Sequence, residues 1–363
     1  MQSTQTYKLT VQALDSEEIL DLYSKSLDSL NCVCPYYAYE LLLSDENEIQ
    51  KLHFFSFNDE DGSLLAIMPF LVRDIIINDE NTGLKDVSSP WGYNGPYFKE
   101  NASSDLKTKF WKQVDEWYAS ENIVTEFVRF NLYGHYSEYT GETVHTLLNV
   151  RGNITDWEQF WSNLKSNTRN QFRKAEKLGL SFKLVYKDIE KEHIAAFYDL
   201  YIDTMDRRDA KDFFYHKLDY FVHLWEMNKD KCAIGLVYKD GVAISTELFL
   251  LTHDTVYSFL GGTDANYFKL RPNEYLKINA IQWAGEAGFT YYNIGGGLSN
   301  SKEDNLYLYK RKYFPLDEDV DFYTGRKILD EKAYDKLVAM NKSDADIVAS
   351  KDLANGYFPK YRM

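Results

Sequence analysis

The sequence predicts a mixed α/β protein in which one pattern of elements is used twice. Three observations lead there. The chain has 363 residues, enough for two domains at about 150 residues each. Apolar runs of strand length alternate with amphipathic stretches of helix length in both halves. Hydrophobic residues make up 44% and charged residues 27% of the chain, a globular balance that excludes wholesale disorder.

In the first half, Leu52–Phe57 and Leu64–Ile76 read as a hairpin around the turn Asn58–Gly62. A loop rich in Gly, Pro and aromatics, Ser88–Phe98, follows. The stretch Ser104–Ser120 carries Leu106, Phe110, Trp111, Val114 and Trp117 on one side and predicts a helix. Strands are expected at Val124–Asn131 and Thr143–Val150. Trp157–Gly179 reads as helix with a break at Ser166-Asn167, and Gly179 stands where a helix ends. The strand Leu180–Tyr186 closes this half.

The second half opens on two expected helices, Lys191–Asp206 and Phe213–Asn228. Strands Cys232–Tyr238 and Val242–Leu251 flank an Asp240-Gly241 turn, and Thr255–Gly262 follows. Pro272 suits the first turn of a helix that runs to Ala287 before Gly288. A short strand, Thr290–Ile294, leads into Gly295-Gly296-Gly297. A helix at Lys302–Lys312, a strand at Val320–Gly325 and a helix at Leu329–Met340 complete the pattern. The expected organisation is a domain over 1–187, a second over 188–345 and a tail over 346–363.

The formal charge is −15, which argues against a general nucleic-acid binder and leaves room only for a local basic site, since such affinity comes largely from neutralising phosphates; no DNA partner is expected. Three cysteines, Cys32, Cys34 and Cys232, are too few for a disulfide framework, and reduced thiols of a cytoplasmic protein are expected. The N-terminal stretch has no leader pattern, and no apolar run reaches the length of a membrane span. Aromatic content is 16%, with 29 Tyr; tyrosines serve equally as core residues and as walls of partly polar clefts. Phosphate-loop, dinucleotide, nucleophile-elbow and zinc-protease motifs are absent from the sequence. The seven histidines show no convincing ligand spacing, and no metal is expected.

Three segments hold candidate chemistry. Lys165, Arg169, Arg173 and Lys177 recur every fourth residue, with Lys174 at the edge and Glu176 the sole acid from Leu164 to Gly179. On a helix they form one slanted stripe. It suits a diphosphate or is a solvated charged face. Arg271 sits at an expected helix N-terminus, where anions are favoured. In 305–314, Leu306, Tyr309, Lys310 and Tyr313 share a helix face, so Lys310 either snorkels or meets an anion. Glu247, on a strand, and Tyr309 are candidate general bases. Gly295 and Gly296 permit close approach of backbone to a ligand or form a plain loop.

The segments NTRNQFRKAEKLGL (167–180), LGGTDANYFKLRPNEYLKINAIQWAGEAGFTYYNIGGG (260–297) and LYLYKRKYFP (306–315), with the loop SPWGYNGP (89–96), resemble the Fem-type aminoacyl/acyltransferases of the GCN5-related N-acyltransferase (GNAT) superfamily. The resemblance implies two tandem GNAT-like domains. It implies an N-acyltransferase that moves an acyl or aminoacyl group onto an amine of a cell-envelope precursor, with acyl-CoA or aminoacyl-tRNA as donor. The family's basic segment matches Arg169, Asn170, Arg173, Lys174 and Ala175, and its C-terminal lysine segment matches Tyr309 to Tyr313, with Lys310 as the lysine. Expected partners are a small-molecule, lipid-linked or nucleotide-linked saccharide, the membrane surface where the substrate is lipid-linked, and tRNA in the aminoacyl-tRNA case. That case, a tRNA-dependent peptidoglycan bridge aminoacyltransferase, is one alternative; a non-catalytic glycan- or partner-binding GNAT fold is the other. The long helical-hairpin insertion of tRNA-dependent members has no counterpart here. The superfamily's glycine-bearing pyrophosphate loop is also missing, since Ala265–Pro272 contains no glycine.

Overall fold

The computed structural model describes residues 6–32, 34–43, 50–341 and 356–362. From its N-terminal side the chain forms β1 (Tyr7–Ala13), α1 (Glu17–Ser29), α2 (Tyr39–Leu42), β2 (Gln50–Asp59), β3 (Leu64–Ile77), β4 (Glu80–Ser88), β5 (Tyr97–Phe98), α3 (Ser104–Ser120), β6 (Ile123–Arg129) and β7 (Glu142–Asn153). Next come α4 (Trp157–Asn163), α5 (Ser166–Lys177), β8 (Leu180–Tyr186), α6 (Lys191–Arg207), α7 (Leu218–Met227), β9 (Cys232–Lys239), β10 (Val242–Leu251) and β11 (Thr255–Thr263). The run ends with α8 (Pro272–Glu286), β12 (Tyr291–Gly295), α9 (Asn305–Arg311), β13 (Val320–Ile328) and α10 (Glu331–Met340).

These elements make two compact units. One takes the chain up to Leu147 and again from Asp321; the other is Leu148–Val320. In the first, the strand order is β1-β2-β3-β4-β6-β13, with β5 on β3. The β2–β3 hairpin turns where Asp59 Oδ1 accepts the backbone N–H of Asp61 and Ser63. Helix α3 starts at Ser103, whose hydroxyl accepts the N–H of Leu106, the usual way to satisfy an orphan helix donor. It buries Leu106, Phe110, Trp111, Val114 and Tyr118 against Phe55, Phe57 and Phe70.

In the second unit, Val150–Asn153 of β7 pairs with β12, and the order continues β12-β11-β10-β9-β8. The β11–β12 pair is parallel and short, from Thr255↔Tyr291 to Tyr257↔Asn293; its neighbours are antiparallel. Alternation along the strands sorts the two faces. Ala233, Val237, Phe249 and Leu251 belong to the core with α8, while Cys232, Ile234 and Leu248 meet α6 and α7. Beyond Tyr257 the strand β11 leaves β12, and this opening holds the pocket described below.

The boundary expected between 187 and 188 is placed differently by the structure. Strand β8 pairs with β9 over seven residues, and α5 packs on α8 and β8, so residues from Leu148 onward fold with the later elements. The second unit also ends at Val320 rather than 345, because β13 pairs with β6 from Thr324↔Arg129 to Ile328↔Thr125. Of the expected tail, 356–362 belongs to the first unit, where the Tyr361 hydroxyl donates to Asp86 and Arg362 Nε bonds the same carboxylate at 2.6 Å; 346–355 lies outside the described residues. The expected helix from Phe213 begins only at Leu218, after a short 3₁₀ turn. Strands β1 and β4 and helix α1 were not foreseen.

Helix α6 lies against β11 at Gly262. A Cβ there would come 2.1 Å from the Leu200 carbonyl oxygen and 2.8 Å from the Tyr201 nitrogen. Backbone cannot swing aside as a side chain can. Gly262→Ala should therefore lower stability by about 1–3 kcal/mol, read as a fall in the urea midpoint; an unchanged midpoint would mean that α6 does not rest on β11 there.

Candidate active site

A cavity of about 440 Å³ in the second unit opens where β11 leaves β12. That volume suits a small-molecule site. Its floor is formed by Thr246 and Glu247 of β10, Ser258 of β11 and Lys277 of α8. Tyr309 and Lys310 of α9 form one wall, and Arg207, Arg208 and Arg271 stand at the rim.

Glu247 and Lys277 make a buried ion pair. The Lys277 Nζ lies 2.5 and 2.7 Å from the two carboxylate oxygens of Glu247, and the two side chains are 5% and 9% exposed. Ser258 Oγ donates to the same carboxylate and accepts from Lys277 at 3.0 Å. With both oxygens engaged, Glu247 is not a free general base. The free base expected from sequence is in the structure a carboxylate held by Lys277 and Ser258.

Lys310 extends into the cavity without such a partner. Its Nζ donates to the Gly296 carbonyl at 2.6 Å. Burial, then the neighbouring Lys277 cation, push its pKa down to about 8, against the pull of Glu247 and Asp304. The backbone that Lys310 touches is shaped by Asp304. That carboxylate accepts the N–H groups of Leu306 and Tyr307, capping α9, and those of Leu298 and Ser299. Gly297 is required beside it, since a Cβ would stand 2.6 Å from Asp304 Oδ1.

Tyr309 accepts from Asn273 at 2.9 Å and shares a hydrogen bond with Tyr313 at 3.3 Å. Burial, aided by the Glu274 charge, raises its phenol well above the ordinary value, so it stays protonated and able to donate. Lys312 fixes the ring. Its Nζ sits 4.0 Å over Tyr309 and 3.2 Å from Glu274, and burial lowers its pKa. Arg271 adopts the left-handed conformation, φ 60° and ψ 43°, immediately before Pro272. A glycine takes that conformation without strain; here an arginine holds it and adds a guanidinium beside the helix N-terminus. Neither Arg208 nor Arg271 has an ion-pair partner among the described residues.

Of the residues singled out from sequence, Glu247, Arg271, Tyr309 and Lys310 come together at this cavity. The basic stripe does not. Arg169 turns back to the carbonyls of Trp161, Ser162 and Leu164, closing the end of α4. Arg173 lies over Trp161 at 5.5 Å, and Arg173 and Lys174 are exposed. The stripe is a solvated face apart from Arg169, because α5 turns Thr168, Phe172 and Ala175 to the core. Gly295 and Gly296 do not line the cavity; Gly295 bonds Asn293 and Gly296 receives Lys310. Lys277, Ser258, Glu274 and Lys312 were missed. A signal existed for the first: a lone Glu in the apolar run 242–251 and a lone Lys amid the apolar residues of 275–284 are opposite charges that burial obliges to pair.

Residues 162–311 match the model of the acetyltransferase (GNAT) domain family. This stretch resembles a GNAT acetyltransferase domain. Among solved structures, FemX is similar at 11% identity and a TM-score of 0.61, covering 82% of this chain and 92% of that one. The structure of L-PGS from Bacillus licheniformis is similar at 15% identity and a TM-score of 0.55, covering 90% and 94%. A tandem GNAT protein from the clavulanic acid biosynthesis pathway gives 7% identity and a TM-score of 0.50, covering 88% and 98%. At these identities the likeness is one of fold, and that fold is the tandem GNAT-like arrangement. No curated protein matches the chain by sequence. Among the described residues, no helix is long and apolar enough to cross a membrane.

Removing one partner of the buried pair leaves a charge without compensation. Lys277→Met should destabilise the GNAT domain by about 3–5 kcal/mol, and the double variant Glu247→Gln/Lys277→Met by much less. Chemical unfolding of the three proteins checks this. Equal losses in single and double variants would show that packing, not charge, matters there.

Proposed function

We propose that the chain is an N-acyltransferase that moves an acyl or aminoacyl group onto an amine of a cell-envelope precursor, an amino sugar or a peptidoglycan or polysaccharide intermediate. The observation that carries this reading is the charge of the cavity. Five cations line it, Arg207, Arg208, Arg271, Lys277 and Lys310, against two carboxylates, Glu247 and Glu274. Both carboxylates are engaged by lysines, in a protein of net charge −15. A site so built favours a ligand bearing phosphate or carboxylate groups, such as a nucleotide- or lipid-diphosphate acceptor or a phosphate-bearing donor. The resemblance of 260–297 and 306–315 to Fem-type enzymes supports the envelope acceptor.

The chemistry is attack of a neutral amine on the carbonyl of a thioester or ester, acyl-CoA or aminoacyl-tRNA. Positioning and charge stabilisation do most of the work. The protonated Lys310 neutralises the developing oxyanion. The Tyr309 hydroxyl donates a hydrogen bond to the leaving sulfur or oxygen, and the proton that the attacking nitrogen loses passes to that leaving group, directly or through water. Glu247 is held by Lys277, so the amine arrives already deprotonated.

The direct test incubates the purified chain with acetyl-CoA and, separately, with aminoacyl-tRNA, each beside UDP-amino sugars and UDP-linked muropeptides. Mass spectrometry reads the products. Transfer to an amine supports the proposal and names the donor; no transfer with either donor, together with tight binding of a glycan, would leave the binding protein as the reading.

Lys310→Ala should lower kcat and kcat/KM together by about 10²–10³-fold, the usual cost of losing one oxyanion partner. Since the charged form acts, wild-type activity should fall as pH rises through about 8, where Lys310 loses its proton. Lys310→Arg keeps its charge, so its slower reaction should lack that alkaline limb. Persistence of the limb in Lys310→Arg would assign it to another group.

Arg271→Gly separates backbone from charge. A non-glycine residue in the left-handed region stores about 1–3 kcal/mol, so this variant should be at least as stable as the wild type. Inorganic pyrophosphate should raise the Tm of the wild type and raise that of Arg271→Gly distinctly less. Equal protection of both would remove Arg271 from anion binding.

A further inference from the structure

We propose that Lys310 is also a site of covalent self-acylation, at which its neutral amine takes the acyl group of a small thioester and becomes an N-acyl-lysine. The inference rests on the reading above only in supposing that an acyl donor enters this cavity.

Three buried or half-buried lysines stand around the cavity, and they differ in one respect. Lys277 is paired with Glu247 and Lys312 with Glu274. Lys310 has no carboxylate within ion-pair distance among the described residues; its one hydrogen bond is donated to the Gly296 carbonyl. The charged groups that face it are already engaged. Lys277 and Glu247 hold each other, and Asp304 accepts four backbone N–H groups. An amine that is half-buried, beside a cation and without an anion is the arrangement that activates lysine as a nucleophile. A neutral amine can keep its hydrogen bond to Gly296 while its lone pair is turned to the cavity that Leu306 and Tyr309 line beside it.

The step balances without another reagent. The Lys310 nitrogen forms a bond to the thioester carbonyl carbon, the carbon–sulfur bond breaks, and its electron pair leaves with sulfur. The proton lost by nitrogen goes to that thiolate, directly or through water. The products are an amide and a free thiol. The amide carries no charge, so an acylated chain has lost the cation assigned to the oxyanion and stays inactive until the acyl group is removed.

The test uses the full chain at pH 7 with S-acetyl-N-acetylcysteamine, a thioester that has no nucleotide or phosphate to be recognised. Peptide mass spectrometry follows the acetylation rate of every lysine. With a pKa of about 8, Lys310 holds about 300-fold more free amine at pH 7 than an ordinary lysine. Nucleophilicity falls with basicity, as for thiolates, and leaves an expected advantage of about tenfold. Acetylation of Lys310 about tenfold faster than the median lysine, with loss of the fast site from the intact mass of Lys310→Gln, supports the proposal. A Lys310 rate at or below the median overturns it. The two readings fail separately. Fast labelling without transfer to any acceptor sinks only the proposed function, and productive transfer with Lys310 at the median rate sinks only self-acylation.

Discussion

The pairing of Glu247 with Lys277 governs the chemistry of the cavity. It joins β10 to α8, the helix that covers one face of the sheet in the second unit, and it lies almost fully out of water. Two charges buried at this depth are tolerated only because each satisfies the other and Ser258 takes part in the bonding. The pair settles two features at once. It engages both oxygens of a carboxylate, and it sets Lys277 beside Lys310, whose pKa is lowered first by burial and then by that cation, against the pull of Glu247.

From this follows the contrast between floor and rim. The floor is neutral by pairing, with Lys277 on Glu247. The rim is not. Arg208 and Arg271 keep their charge for whatever arrives, and Lys310 stands between the two levels. A protein of charge −15 would repel an anion from most of its surface. Unpaired cations gathered at this opening make it locally favourable to an anion.

Backbone shape and charge are combined at Arg271. Loops that feed a helix N-terminus often use glycine to turn through the left-handed region. Here the turn is kept and the glycine is not. The cost is local strain; the gain is a guanidinium at the positive end of α8. Ala265–Pro272 contains no glycine, and the turn into α8 is made in the left-handed region by Arg271 itself.

What the sequence by itself determined was local. The hairpins at 58–62 and 240–241, the cap at Pro272, the break near Ser166 and the face of α3 depend on neighbours within a few residues, and they stand as read. Lys310 and Tyr309 were legible because a short helical repeat sets both on the apolar side of one helix. Contacts between distant segments decided the rest. Arg169 and Lys310 are both cations on helices with aromatic neighbours, yet one closes the end of α4 and the other enters a cavity, a difference set by what packs opposite. The partnership of Glu247 with Lys277 spans thirty positions, and β13 returns to β6 across nearly two hundred. No local pattern encodes such pairings, because they depend on register and on which buried charge lacks another partner.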